Sequence, residues 1–410
     1  MRFPIPFPLK QMHSPWTSLG VAPGDLQLKP TLNGGQSFRW RATGDGEWTS
    51  VLRGRIISLR QAGVDSDVWF KSHNRGSVPE AQAILHDYFQ LGVDLKALYA
   101  RWNQDVNFKK KAGTFAGIRV LRQDPTENVF SFICSSNNNI SRITSMVAKM
   151  AERYGTLAGT SEDDGHAYYN FPTVARLAEP GVEDELRKLG FGYRARYIAE
   201  SARYILANHD ESWLESLRDR EYTECKEELM KLSGVGPKVA DCVCLMSMDQ
   251  HGAIPVDTHV WQIAKRDYRI SGLANAKTMT AKNYLAIGDF FRALFGSHAG
   301  WAHSVLFTAD LRQIGPKSEP LSVIAKNEIV EAMQENENGL DRKVLVKKEV
   351  KVTALKDEGA PFAENNVIIE QVVVKKEEVV DETLLGPRRS LKNRTQEVPD
   401  SKPTKRKKLK

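Results

Sequence analysis

Hydrophobic and polar residues alternate in short runs through residues 25–72, which is the pattern of half-buried β-strands. Glycine-containing turns separate these runs at Asn33–Gly35, at Gly44–Gly46 and at Gly54. The pattern therefore predicts short antiparallel strands at Asp25–Lys29, Gln36–Trp40, Trp48–Leu52 and Arg55–Arg60.

The spacing of apolar residues changes to that of α-helices from about residue 79. Ala81–Phe89 and Asp94–Trp102 are the first examples, and helical segments continue to about residue 314 with breaks at prolines and glycines. An antiparallel sheet followed by a large set of helices is an α+β fold class. We predict an N-terminal antiparallel β domain with flanking helices over residues 12–110 and a mostly α-helical domain over residues 111–318.

The composition changes again in the C-terminal segment, where lysine and glutamate clusters alternate with valines and Phe362 is the only aromatic residue. Such a segment has too little apolar surface to form a core, so residues 319–410 are predicted to be a disordered, charged tail. It ends in basic clusters at 387–389 and 405–408, which are typical of nuclear import signals or of non-specific nucleic-acid contacts. We expect a nuclear protein that binds an import receptor. A solvated tail without a partner is the alternative, and a mitochondrial pool is left open.

The net charge of +7 arises in the tail, because residues 388–410 carry ten Lys/Arg and two Asp/Glu while the remaining chain is close to neutral. A nucleic-acid surface on the folded part must therefore be a local patch. No run is apolar and long enough to cross a membrane, so no membrane partner is expected.

The four cysteines indicate neither a disulfide framework nor an iron–sulfur cluster. Cys134, Cys225, Cys242 and Cys244 include no CxxC pair, and Cys134 is far from the others in sequence. This usage favours a reducing compartment. We expect no metal and no cofactor.

Residues 232–246 have the pattern of a helix end, a two-glycine hairpin and a second helix. Gly234 and Gly236 permit a sharp turn and close approach of another molecule, and Pro237 suits the first position of the following helix. Free backbone N–H groups at such a helix N-terminus bind phosphate. Lys238 follows at once, and Asp257 stands at the expected N-cap of another helix. A phosphate site, a lysine and a carboxylate favour DNA chemistry over DNA binding alone.

The residues by themselves leave two roles open for each charged group. Lys238 could hold a phosphate, or it could attack a sugar C1′ as an amine whose pKa is lowered. Asp257 could simply cap its helix, or it could take up a proton and stabilise positive charge on the sugar. Cys242 shares the helix face of Lys238, where it could pack on a flat ligand or be an ordinary core residue.

Two further loops combine polar side chains with glycine or aromatic residues. The segment Ser135–Ile140 contains three asparagines and is followed by Arg142, and such residues form turns and also contact base edges. The segment Gly190–Tyr197 pairs two glycines with tyrosines and arginines, which suits stacking and phosphate contact.

Taken together, these segments resemble the eukaryotic 8-oxoguanine DNA glycosylases of the helix-hairpin-helix superfamily. The resemblance extends over residues 15–315 and excludes the tail. The matching blocks, in family order, are Gly35–Trp40, Ser131–Ile140, Leu189–Tyr197, Gly234–Cys242, Pro255–His259 and Phe307–Arg312.

The resemblance implies an enzyme, expected to act as a monomer, that flips 8-oxoguanine opposite cytosine out of double-stranded DNA. Lys238 would attack C1′ and form a Schiff base, β-elimination would nick the strand, and Asp257 would stabilise the charged sugar. Gly35 would accept the N7–H of the damaged base through its carbonyl. Phe307 and Cys242 would pack on the two faces of that base. The family pattern implies DNA contacts for Asn137, Arg142, Tyr193, Arg194, Gly234, Gly236 and His259. In that pattern Arg142 and Arg194 would read the orphaned cytosine.

One position departs from the family pattern. His303 stands where the family has a glutamine that reads the Watson–Crick edge of the base. A neutral imidazole offers one donor and one acceptor in a different geometry, so recognition is expected to be weaker or dependent on pH. The alternative is that the His303 side chain turns away from the base, into a helix face, and is purely structural. For the whole chain, the alternatives are a related glycosylase with another base specificity and a non-catalytic DNA-binding module.

Overall fold

The structure is a computed structural model that describes residues 15–73, 77–161, 163–273, 276–314, 327–335 and 341–349. The described residues up to 314 form one compact unit, and those beyond 326 belong to a separate unit. Within these ranges, no helix has both the length and the apolar character needed to span a bilayer.

The N-terminal part is built on a five-stranded antiparallel sheet, which confirms the prediction of an antiparallel sheet in this part of the chain. Its strand order is β1-β5-β4-β3-β2. A two-residue turn joins β3 to β4, and both of its residues, Arg53 and Gly54, have positive φ, which matches the twist of a hairpin. The strands are β1 (Thr17–Ser18), β2 (Arg41–Gly44), β3 (Glu47–Leu52), β4 (Arg55–Arg60) and β5 (Trp69–Ser72).

Two strand predictions were wrong. The segment predicted as a strand at Asp25–Lys29 leads instead into helix α1 (Leu28–Asn33), because the Gln61 side chain accepts the Leu28 N–H at 2.8 Å and donates to the Leu26 carbonyl at 2.8 Å. The segment Gln36–Trp40 is irregular and precedes β2. Alternation over five residues cannot distinguish an extended loop, whose polar groups bind side chains, from a strand.

A mostly helical region follows, as predicted. The boundary expected after residue 110 falls within helix α4, and the domain limits stay a prediction. The helices are α2 (Val78–Tyr88), α3 (Leu95–Trp102), α4 (Val106–Ala112), α5 (Pro125–Ile133), α6 (Ile140–Tyr154), α7 (Val174–Leu177), α8 (Val182–Lys188), α9 (Arg194–Asn208), α10 (Trp213–Ser216), α11 (Tyr222–Leu229), α12 (Pro237–Ser247), α13 (Thr258–Arg266), α14 (Ala281–Phe295) and α15 (Ala299–Ile314).

A small hairpin interrupts the helices and was not predicted. It consists of β6 (Leu157–Thr160) and β7 (Ala167–Tyr169), which pair antiparallel. Within the predicted tail, β8 (Asn327–Glu335) and β9 (Asp341–Glu349) form another antiparallel pair. The basic clusters at 387–389 and 405–408 lie outside the described residues.

The loop before β2 is fastened to the helical region by amide side chains. Gln36 donates to the Arg119 carbonyl at 2.9 Å and accepts the Leu121 N–H at 3.0 Å. Gln123 in turn donates to the Gln36 carbonyl at 2.9 Å. Because these bonds are buried, they hold the Gly34–Gly35 turn in a defined place beside the helices.

Candidate active site

The glycine hairpin joins α11 to α12 as the sequence predicts. Gly234 has a φ of +80°, and a Cβ there would lie 2.7 Å from Cδ2 of Tyr197 on α9. Gly236 is the N-cap of α12, and Pro237 occupies the first turn. Since glycine brings no capping side chain, the first-turn N–H groups of α12 are left for an outside acceptor.

The amine and the carboxylate singled out from the sequence meet at one pocket. Lys238 lies in the first turn of α12, with its Nζ 3.4 Å from Oγ of Ser135 and 5.2 Å from the centre of the Phe132 ring. Asp257 is the N-cap of α13 and accepts the Val260 N–H at 2.9 Å through one carboxylate oxygen. One bond to the backbone orients this carboxylate and leaves its second oxygen for the pocket.

Both side chains line a pocket between α12, α15 and the Gly34–Gly35 turn. Gly35 has a φ of +80°, so its backbone turns in a way that glycine permits. The pocket is lined by Gly34, Gly35, Gln36, Phe132, Lys238, Cys242, Met246, Pro255, Asp257, His303, Ser304, Phe307 and Thr308. The six residues predicted for catalysis and base binding are therefore brought together.

Cys242 is buried in the wall of this pocket. Burial raises the pKa of its thiol to about 11, with the nearby Asp257 and Asp241 carboxylates adding to the shift and Lys238 opposing it. The side chain is therefore a neutral thiol at physiological pH, suited to packing on a flat ligand.

His303 points at the pocket from α15 without a protein partner. It is only 6% exposed, and neither ring nitrogen has a hydrogen-bond partner in the described part of the chain. Burial lowers its pKa to about 4, although the Asp257 carboxylate and the backbone of Pro255 oppose the shift. A buried imidazole without partners is costly, so its donor and acceptor are available to a ligand.

Phe307 forms one side of the pocket and contacts two histidines. Its ring stacks on His303, with centroids 6.2 Å apart, and meets His259 edge to face at 5.7 Å. The His259 Nδ1 lies 3.1 Å from a carboxylate oxygen of Asp310, and Arg266 donates to the other oxygen at 2.9 Å. Asp310 is fully buried and thereby orients His259.

The loop between α5 and α6 is held from α9. Arg194 is 3% exposed and donates to the carbonyls of Ser136 and Asn137, the latter at 3.1 Å. The Tyr193 hydroxyl also donates to Ser136, at 3.0 Å. Asn137 is exposed at the tip of the loop, with a φ of +45°.

The two arginines predicted to read cytosine are therefore placed differently. Arg142 is exposed and donates to the Gly190 carbonyl at 3.3 Å. Arg194 is turned inward to the loop backbone, so its cytosine contact stays a prediction that requires a different side-chain conformation.

Two protein-family descriptions match consecutive parts of the chain. The chain matches the family description "8-oxoguanine DNA glycosylase, N-terminal domain" over residues 18–129 and "HhH-GPD superfamily base excision DNA repair protein" over residues 130–285. It is 41% identical over 299 residues to the N-glycosylase/DNA lyase OGG1 of Arabidopsis thaliana, covering 72% of this chain and 80% of the relative.

The chain belongs to the 8-oxoguanine DNA glycosylase family. It is also 39% identical over 331 residues to the N-glycosylase/DNA lyase of Saccharomyces cerevisiae, covering 72% of this chain and 85% of that protein. Among solved structures it is similar to the 8-oxoguanine glycosylase/lyase of Clostridium acetobutylicum in complex with dsDNA containing cytosine opposite 8-oxoG, at 32% identity. That match has a TM-score of 0.61 and covers 70% of this chain and 93% of the other.

Several residues at or near this family's pocket were not found from the sequence. Phe132 lies beneath the Lys238 amine, and both it and Gln36 were included only as parts of matching blocks. Asp310 lies three residues after Phe307, so the helical spacing alone could have indicated that the two share a face of α15.

We expect Gly234→Ala to weaken DNA binding about tenfold or more and to lower stability by more than the 1–2 kcal/mol of a left-handed residue alone. The added Cβ would collide with Tyr197, so the hairpin must move. Gly165→Ala is the matched control, because Gly165 also has positive φ but has nothing within 4 Å of the added Cβ. Urea unfolding and a duplex-binding titration measure both effects. Equal losses in the two variants would contradict the clash.

We also expect His303→Gln to reduce the loss of folding stability at low pH. An unfolded histidine binds its proton near pH 6.5, and folded His303 binds it only near pH 4. Between these values only the unfolded chain is protonated, so the native protein loses stability as pH falls, by up to about 1.4 kcal/mol per pH unit. The melting temperature of His303→Gln minus that of the parent should therefore increase as the pH is lowered from 7 to 5. His86→Gln, at an exposed site, is the control; a difference that does not change with pH would refute the assignment.

Proposed function

We propose that this protein is a DNA N-glycosylase and abasic-site lyase that removes 8-oxoguanine opposite cytosine from duplex DNA. The observation that carries the proposal is the convergence of the Lys238 amine and the Asp257 carboxylate on one pocket walled by Phe307 and Cys242. Two curated relatives at 39–41% identity are named N-glycosylase/DNA lyase, and the similar Clostridium enzyme is described in complex with 8-oxoguanine DNA.

The chemistry begins with attack of the Lys238 amine on the sugar C1′. The new N–C1′ bond forms as the C1′–N9 bond breaks. The electron pair of the C1′–N9 bond leaves with the base, which takes up the proton that the amine nitrogen loses. Opening of the sugar ring then breaks the C1′–O4′ bond, O4′ gains a proton, and the amine nitrogen becomes a Schiff base. Loss of a proton from C2′ expels the 3′ phosphate and nicks the strand.

Asp257 supports the first of these steps electrostatically. Its carboxylate faces positive charge that grows on the sugar as the base departs. Its bond to the Val260 N–H fixes the carboxylate before the substrate arrives. Helix capping and catalysis therefore use different oxygens of one side chain.

The flipped base enters between Phe307 and Cys242. The Gly35 carbonyl accepts the N7–H that distinguishes 8-oxoguanine from guanine, and His303 contacts the Watson–Crick edge. One such hydrogen bond is worth roughly 1–3 kcal/mol of discrimination when a buried group is otherwise left unpaired.

The surrounding loops hold the distorted duplex. Asn137 occupies the space that the flipped base leaves, and Tyr193 wedges beside the orphaned cytosine, which offsets part of the few kcal/mol that base flipping costs. Arg142 and Arg194 contact that cytosine. Phosphates bind at the Gly234–Gly236 hairpin and at His259, whose Nδ1 is already engaged by Asp310 and whose Nε2 is the nitrogen that can face DNA.

We infer in addition that the enzyme acts as a monomer and that its basic C-terminal clusters direct it to the nucleus through an import receptor. The charge of residues 388–410 supports this assignment. A mitochondrial pool stays open.

Lys238→Ala should abolish borohydride trapping on an 8-oxoguanine:cytosine duplex and keep DNA binding within a few fold, because only the Schiff-base nitrogen is removed. Lys231→Ala, an exposed lysine near the same hairpin, should trap like the parent. Gel mobility of the covalent complex gives the readout. Continued trapping by Lys238→Ala would show that another group is the nucleophile, and a parent that never traps would favour a non-catalytic DNA-binding protein.

His303→Gln should keep or increase the rate of 8-oxoguanine excision relative to undamaged guanine, because glutamine offers a donor and an acceptor to the same base edge. His303→Ala should reduce it by about tenfold or more, since the edge would face an apolar wall. Single-turnover excision from matched duplexes measures both. A large loss of excision in His303→Gln would contradict this role for His303.

A further inference from the structure

A buried polar cluster lies behind the catalytic helix and does not line the pocket. Asp241 is 1% exposed and sits three residues after Lys238 on α12. Its carboxylate accepts from the Tyr222 hydroxyl at 2.6 Å, from Lys226 at 2.8 Å and from the Tyr284 hydroxyl. We call these four residues the Asp241 network.

The Asp241 network is not needed to fill this part of the core, because apolar side chains can do so without burying a charge. A buried carboxylate is tolerated only when it is paired and hydrogen-bonded, and replacement by apolar residues is often neutral or stabilising. Here Lys226 supplies the charge partner and lies 5.4 Å and 5.2 Å from the ring centres of Tyr222 and Tyr284. Stability alone is therefore a weak reason for placing an acid at this point.

Tyr284 connects the network to the other half of the active site. It lies on α14, and besides donating to Asp241 it accepts the Val256 N–H at 3.4 Å. Val256 immediately precedes Asp257. A continuous path of hydrogen bonds thus joins the helix that carries Lys238 to the peptide that carries the catalytic carboxylate.

We propose that Tyr284 is a positioning residue that sets the place of the Asp257 carboxylate relative to the Lys238 amine, through its bonds to Asp241 and to the Val256 backbone. This inference rests on the proposed function. Asp257 has one bond of its own to α13, which orients its side chain, and the Tyr284 bond fixes the backbone on its N-terminal side. Small displacements of a reacting pair cost large factors in rate.

Tyr284→Phe removes the hydroxyl and keeps the ring. We expect single-turnover excision of 8-oxoguanine to slow by about tenfold, with duplex affinity unchanged within about twofold. Tyr268→Phe is the matched control, because the Tyr268 hydroxyl also donates to a carboxylate, that of Asp105 at 2.9 Å, in a different part of the helical region. The control should excise at the parent rate.

A double-mutant cycle separates positioning from general loss of structure. In the Asp257→Asn background, excision is slow and is followed over hours with enzyme in excess. Adding Tyr284→Phe to this background should slow excision no further, because the carboxylate that Tyr284 positions is gone. Asp241→Asn should reproduce the tenfold loss in the parent and the absence of loss in the Asp257→Asn background.

Two results would overturn the inference: an unchanged excision rate in Tyr284→Phe, or the same fold-loss with and without Asp257. The second result would assign Tyr284 a purely structural role, which a parallel fall in melting temperature would accompany. Failure of the proposed function is distinguishable, because the unsubstituted protein would then neither trap with borohydride nor excise 8-oxoguanine.

Discussion

The Lys238 amine and the Asp257 carboxylate can act together only because α12 and α13 both begin at the same pocket. Each group sits at a helix N-terminus, where the backbone leaves N–H groups unpaired and the helix dipole is positive. At α13 the carboxylate satisfies one of these groups and is thereby oriented. At α12 the glycine N-cap leaves them open, which suits a phosphate and places an amine in a positive environment.

The remaining pocket is completed by parts of the chain that are far apart in sequence. The Gly34–Gly35 turn reaches it through the amide bonds of Gln36 and Gln123 to the backbone, and α15 brings in His303 and Phe307. The turn and α15 depend on different properties of their residues. The turn needs a backbone that only glycine readily adopts, whereas α15 needs side chains that point inward together.

His303 and Arg194 show how burial changes what a polar side chain does. Burial keeps the His303 ring neutral and, in the described part of the chain, without a partner, so the pH at which it titrates lies far below that of an exposed histidine. Arg194 donates hydrogen bonds to the backbone carbonyls of the loop that carries Asn137. The residue that the family resemblance assigns to cytosine therefore holds the backbone of this loop.

The sequence by itself determined the α+β class and the helix-hairpin-helix segment, and it singled out Lys238 and Asp257 as candidates, because each depends on local patterns: alternation, helical spacing, two glycines before a proline, and an N-cap residue. Local patterns were insufficient at Asp25–Lys29 and Gln36–Trp40, where bonds to distant amide groups replaced the expected strand pairing. Only tertiary structure decided the Asp241 network, the inward turn of Arg194 and the lack of a hydrogen-bond partner for His303 among the described residues. Each depends on which groups from separate helices come within about 3 Å of one another, and that distance follows from packing.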